Sequence, residues 1–252
     1  GQLQRNINEK EKSMRDYLLD IVKHTRSVGN IDAVKVTDGS VIEAKDDDNK
    51  VIVKATYKTA RSELAGVVGL PNLDKLNVIL NISEYAENAK IDVEMRERNG
   101  ENVPFSMKFV NASGDFKNDF RFMSKELVTQ RIPEVRFKGA NWDVEVQPHS
   151  ASVARFKMQA QANSEENVFI AKTEDDALKF FFGDDSGHTG NFVFQAEVNG
   201  SLKQSWKYPV AEVQSVLNLN GDITMRFSDA GALKIDVDNG MAVYEYIFPA
   251  QS

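Results

Sequence analysis

Few residues in this chain offer reaction chemistry. Cysteine is absent, and the three histidines, His24, His149 and His188, are far apart, with no spacing that suits a zinc site or an activated nucleophile. His188 lies in Gly-His-Thr-Gly and reads as a hairpin residue. Asp46, Asp47 and Asp48 form an acidic run, but a calcium loop needs further oxygen ligands at alternate positions and a closing bidentate carboxylate, so the run reads as an acidic turn. Gly66 and Gly69 before Pro71 are too few and wrongly placed for a phosphate-cradling or dinucleotide loop. The expectation is a protein without catalytic residues, metal or cofactor. What remains is charge. If residues 12–26 are helical, Met14, Tyr17, Leu18, Ile21 and Val22 share one face, and Lys12, Arg15, Lys23 and Arg26 fall within about a quarter of the circumference opposite. Taken alone this is the pattern of a solvated helix face. A four-residue basic stripe still stands out in an acidic protein.

The elements that would position such a stripe can be read from periodicity. Strands are expected at Ala33–Val36, Val41–Ala44, Lys50–Tyr57 and Glu63–Leu70. Asn72 can then cap a helix bearing Leu73, Leu76, Val78, Ile79 and Leu80, followed by strands Lys90–Arg96, Asn102–Val110 and Asp115–Met123. Ser124–Gly139 has no sustained period and fits a linker. After a strand at Trp142–Val146, Ser150 can cap a helix with Val153, Phe156 and Ala160 inward and Arg155 and Gln159 outward. Strands Asn167–Lys172, Ala177–Phe182, Asn191–Val198 and Ser201–Tyr208 come next. A helix with Val210, Val213, Val216 and Leu217 on one face and three strands, Ile223–Phe227, Ala232–Val237 and Met241–Phe248, close the chain. Each half thus repeats one order: helix, several strands, helix, three strands. This order implies an α+β chain of two similar domains, 1–123 and 142–252, joined by a connector at 124–141.

Composition bounds the partners. The 252 residues are 41% hydrophobic and 27% charged, without an apolar run long enough to span a membrane. A net charge of −7 argues against a protein that coats nucleic acid over its whole surface, and leaves room for a local basic face. The sequence opens without a signal-like apolar segment, so a cytoplasmic location is expected, in the host cell if the protein is viral.

Three stretches, in order and on the duplicated scaffold, resemble the DNA polymerase sliding clamps, the family that includes proliferating cell nuclear antigen and the clamps of T4-like bacteriophages. QRIPEVRFKGANWDVEVQPHSASVARF (130–156) resembles the interdomain connector with a strand and the helix of the second domain, ENVFIAKTEDDALKFFFGDDSGHTGNFVFQ (166–195) the long hairpin of that domain, and ALKIDVDNGMAVYEYIFPA (232–250) the closing meander. The departures in many side chains lean towards a phage-type member. The resemblance implies a homotrimeric ring of six clamp domains, with antiparallel sheets outside and helices lining a central hole through which duplex DNA passes. Lys12, Arg15, Lys23, Arg26, Lys75, Arg155 and Lys157 then become the DNA-binding pore residues. It also implies a pocket for the C-terminal peptide of a replicative DNA polymerase, carried over to Ile132, Pro133, Leu233, Tyr246, Ile247, Phe248 and Pro249. An ATP-dependent clamp loader is the further implied partner. Subunits would pair the strand at Asp115–Phe122 with that at Ser201–Tyr208, bringing Phe120 and Phe122 towards Trp206. Two other readings stay open. A monomeric polymerase processivity factor would hold DNA by a basic face and should be basic overall. A β-rich viral structural or interaction module would leave the basic helices without a use.

Overall fold

The computed structural model describes residues 13–136 and 139–252, so Lys12 lies outside the described residues. The chain forms two compact units that interleave along the sequence. One takes the described residues up to Ser27 with Ile31–Ile42 and Thr59–Pro133; the other takes Val28–Asn30, Glu43–Lys58 and Glu134–Ser252.

In the first unit, Ser13 starts helix α1 (Met14–Thr25) with a capping box: its hydroxyl accepts from Asp16 N (3.1 Å) while the Asp16 carboxylate accepts from Ser13 N (3.3 Å). The apolar face buries Met14, Tyr17, Leu18, Ile21 and Val22. Tyr17 Oη donates to Gly39 O at 3.0 Å. Gly39 has φ +63°, and a Cβ there would come within 2.0 Å of Arg61 O, so both backbone conformation and space demand glycine. Strands β1 (Val34–Thr37), β2 (Val41–Lys45) and β4 (Val67–Leu70) are ordered β4-β1-β2, and the chain passes to the other unit within β2. Helix α2 (Leu73–Leu80) starts at Asn72, whose side chain accepts from Lys75 N, and packs against α1. An antiparallel sheet β5-β6-β7 comes next (Lys90–Arg98, Glu101–Val110, Lys117–Arg121). Helix α3 (Lys125–Arg131), capped by Ser124, seats Val128 and Ile132 against Ala33.

The second unit holds β3 (Ile52–Tyr57), β8 (Val144–Val146), helix α4 (Ser150–Ala162), β9 (Val168–Glu174), β10 (Ala177–Phe182), β11 (Gly190–Gln195) and β12 (Lys207–Pro209). Helix α5 (Val210–Leu217), β13 (Asp222–Ser228), β14 (Ala232–Asp238) and β15 (Ala242–Pro249) complete it. One sheet is ordered β3-β15-β14-β13-β8 and the other β11-β10-β9-β12. Tyr57 and Tyr244 share a buried hydroxyl–hydroxyl bond of 2.6 Å across β3 and β15. The α4 helix offers one fully buried side chain, Phe156, which enters a cage of Phe169, Phe180, Phe182 and Phe192 with ring centroids 5.2–6.4 Å away.

Several expected elements are corrected. Ser201–Tyr208 is a strand only from Lys207, because donors before it bond to side chains: Lys203 N and Gln204 N to the Asp229 carboxylate, and Leu202 N to Thr173 Oγ1. The stretch read as a patternless linker contains α3, whose cap and single buried Val128 are too short a signal for periodicity to show. Residues Glu63–Leu70 begin as a 3-10 turn, Ser62–Leu64, and become strand at Val67. β7 begins at Lys117, since Asp115 N and Phe116 N both bond Asn111 Oδ1 in a side-chain-closed turn. β11 ends at Gln195. Ser150 is the first residue of α4, and the N-cap is His149. Of the five apolar residues of α2, Leu73, Leu76, Ile79 and Leu80 are buried and Val78 is 65% exposed.

The core also sets a pH limit. Burial pushes the Tyr17 and Tyr208 hydroxyls well above the ordinary tyrosine value near 10. Their folded pKa values exceed the unfolded ones, so this contribution is complete below pH about 10 and is lost as pH rises above it. Urea midpoints measured from pH 8 upwards should hold level and then fall above about 10. A midpoint that stays level well into the alkaline range would show that these phenols carry no such weight.

Candidate nucleic-acid interface

The cations of the first unit differ in what already occupies them. Arg15 on α1 donates from Nε (3.1 Å) and Nη2 (2.9 Å) to Leu80 O, a C-terminal carbonyl of α2 that lacks an intrahelical donor. A cation is favoured at that end of the helix dipole, so Arg15 ties α1 to α2. Arg26 pairs with Asp74 in the first turn of α2, with both side chains substantially exposed. Lys23 and Lys75 stand exposed, with no carboxylate of the described residues within ion-pair distance. Arg15→Ala should lower unfolding free energy by about 1.5–3 kcal/mol, since the guanidinium makes charge-assisted bonds to a carbonyl that would lose its partner. Chemical denaturation of the variant measures this, and unchanged stability would mean the tie contributes nothing.

In the second unit Lys157 on α4 is likewise exposed and without a described carboxylate partner. Arg155 is exposed but engaged: its Nη1 donates to Val193 O at 3.1 Å, and its guanidinium lies 5.4 Å from the Phe192 ring centre. One turn on, Gln159 Nε2 donates to Asn191 O at 2.9 Å. Helical periodicity places Gln159 outward and assigns it no role; nothing in its type or spacing marks it as a partner of a strand carbonyl. The α5 helix turns Ala211 to solvent and has no basic residue.

The other expected site residues are divided between the two units. Ile132 is buried with Ala33 and Val128 in the first unit, while Pro133 is exposed. In the second unit Leu233, Tyr246, Ile247 and Phe248 are buried and Pro249 is half-buried. Phe120 and Phe122 are buried in the first unit, and Trp206 is 38% exposed, its Nε1 donating to Asp229 O.

Sheet edges provide a second kind of surface. Phe122 N donates to Phe105 O and Asn111 N to Phe116 O, so even-numbered residues of β7 bond β6 and the N–H and C=O groups of Lys117, Asp119 and Arg121 point away from it. By the same alternation Asn191 and Val193 of β11 direct their carbonyls away from β10, towards Gln159 and Arg155.

His24 is buried on α1 with Nδ1 2.7 Å from Asp20 O, His149 caps α4, and His188 lies in the turn before β11. Asp46 accepts from Asn30 N and Asp48 N and closes a turn. Among the described residues no group of three His, Asp or Glu could hold a metal.

No protein-family model matches this sequence. No curated protein matches it. Solved structures do. Proliferating cell nuclear antigen of Entamoeba histolytica is similar over 94% of this chain and 96% of its own, with a TM-score of 0.65 and 11% identity. The A. fulgidus protein, solved with the C-terminal region of FEN-1 bound, is similar over 94% and 96%, with a TM-score of 0.63 and 13% identity. That of Thermococcus kodakaraensis is similar over 95% and 98%, with a TM-score of 0.62 and 13% identity. The chain has the sliding-clamp fold, α+β with antiparallel sheets.

Proposed function

We propose that this chain is a DNA sliding clamp: three copies close a ring around duplex DNA and tether a replicative polymerase, without catalysing a reaction. The observation that carries this reading is the position of Lys23, Lys75 and Lys157. These exposed lysines, without an ion-pair partner among the described residues, lie on α1, α2 and α4 of a sliding-clamp fold whose net charge is −7. On an acidic body, exposed lysines that no described carboxylate neutralises are places where phosphates are attracted. Contacts of this kind carry no base information, as sliding requires. Topology rather than affinity then supplies retention, and an ATP-dependent loader would open the ring. A monomeric DNA-holding factor remains the weaker reading, because it would need a net-basic protein.

The two outward edges suggest how copies join. Unpaired strand edges invite further strands, and pairing β7 of one copy with β11 of the next would use the outward backbone groups of Lys117, Asp119, Arg121, Asn191 and Val193. This assigns the second edge to β11 in place of the stretch at 201–208. Phe120 and Phe122 would support the edge from behind. The A. fulgidus structure carries the FEN-1 C-terminal region, and by analogy partners here bind through terminal peptides, a polymerase C-terminus among them. Pro133 and Pro249 are the residues of the seven that offer surface for such contact. Native mass spectrometry tests the assembly. A species of three times the 28.2 kDa chain is expected, and a strict monomer at high micromolar concentration would contradict it.

A further inference from the structure

The β11 edge is not bare. Its two outward carbonyls, Asn191 O and Val193 O, each accept a hydrogen bond from a side chain of α4, Gln159 Nε2 at 2.9 Å and Arg155 Nη1 at 3.1 Å. The arrangement is supported from behind. Buried Asn163 donates from Nδ2 to Gln159 Oε1 (3.1 Å) and to Gln159 O (2.8 Å), which fixes the amide so that its nitrogen faces β11. Gly190, the first residue of β11, leaves the room: a Cβ there would sit 2.6 Å from both Asn163 Nδ2 and Gln159 Oε1.

We infer that Arg155 and Gln159 cap the β11 edge against premature pairing and are displaced when a second copy of this chain adds its β7 strand. This rests on the edge-pairing reading above. An incoming antiparallel strand would bring its own N–H groups to the outward carbonyls, the acceptors that α4 already occupies. Covering an edge in this way guards a free chain against indiscriminate strand addition. Displacement also frees the Arg155 guanidinium on the helix that carries Lys157, so the cation becomes available when a ring has formed. Arg155 is thus an assembly-specificity residue, and any phosphate contact it makes comes after assembly.

Sedimentation velocity over a nanomolar-to-micromolar series, on the full chain and three variants, tests this. Arg155→Ala/Gln159→Ala removes both caps. The assembly midpoint should move about tenfold or more to lower concentration, because one hydrogen bond of about 1.4 kcal/mol corresponds to tenfold. Arg155→Ala alone, at an exposed position, should give part of that shift and covers the case in which losing Gln159 disturbs α4. Asp119→Pro removes an outward N–H of β7 that no described strand uses, a change edge strands tolerate, and should hold the chain monomeric. Cap variants that assemble no more readily than the parent, while Asp119→Pro is monomeric, would overturn the capping role and leave edge pairing standing. An Asp119→Pro chain that assembles like the parent would overturn edge pairing itself, and the capping role with it.

Discussion

Phe156→Ala is expected to lower the unfolding free energy by about 3–5 kcal/mol, a large fraction of what holds a domain folded. The reason is local. The other apolar positions of α4 are alanines and partly or wholly exposed residues such as Val153 and Met158, so the helix has one fully buried anchor. That anchor touches four phenylalanine rings, with Phe169 and Phe180 meeting it edge to face, a geometry that adds to the area removed from water. A truncated ring leaves a cavity that neighbours on β9 and β10 are held from filling by their own sheet. Because α4 also carries Arg155, Lys157 and Gln159, the same substitution should loosen the interface and the β11 edge together. Urea denaturation with a far-ultraviolet probe measures the loss, and a cost below about 1 kcal/mol would show that α4 is held by something other than this ring.

Replacing Lys23, Lys75 and Lys157 together by Ala is the second large effect. In a three-chain ring the change removes these cations from every helix layer that carries them. At about 50 mM salt the apparent affinity for a short linear duplex should fall by at least about a hundredfold, and the plot of log affinity against log salt should flatten, because each lost phosphate contact reduces counterion release. Stability should stay within about 0.5 kcal/mol of the parent, as expected for exposed positions without ion pairs. Fluorescence anisotropy across a salt series gives both quantities. An unchanged slope would remove these lysines from the interface.

Periodicity located most of the scaffold. Alternation found the closing strands β13, β14 and β15 nearly to the residue, because they alternate along a buried face. The α1 helix was legible because five apolar residues recur at helical spacing, whereas its start was not, since Ser13 caps it and the helix begins at Met14. What escaped depends on bonds that residue type does not announce. Leu202, Lys203 and Gln204 look like part of a strand until Asp229 and Thr173 claim their backbone donors. Val78 is apolar by type, yet its helical spacing sets it opposite Leu73, Leu76 and Leu80, and it is exposed. The site shows the same limit. Sequence could identify Arg15 and Arg155 as cations on helix faces, yet whether a guanidinium meets a phosphate or a carbonyl depends on a Leu80 or Val193 far along the chain. Lys23, Lys75 and Lys157 were legible as cations, and only the fold shows that they lack a described partner.

Closure around DNA is the central claim, and retention on a closed circle tests it most directly. The chain is mixed with nicked circular duplex below its assembly concentration, concentrated so that rings form, and passed through a sizing column at a salt concentration that suppresses phosphate contacts. The protein should elute with the circle and be released when a single restriction cut makes the DNA linear. Protein that stays on the DNA after the cut, or that never co-elutes with the circle, would contradict encirclement.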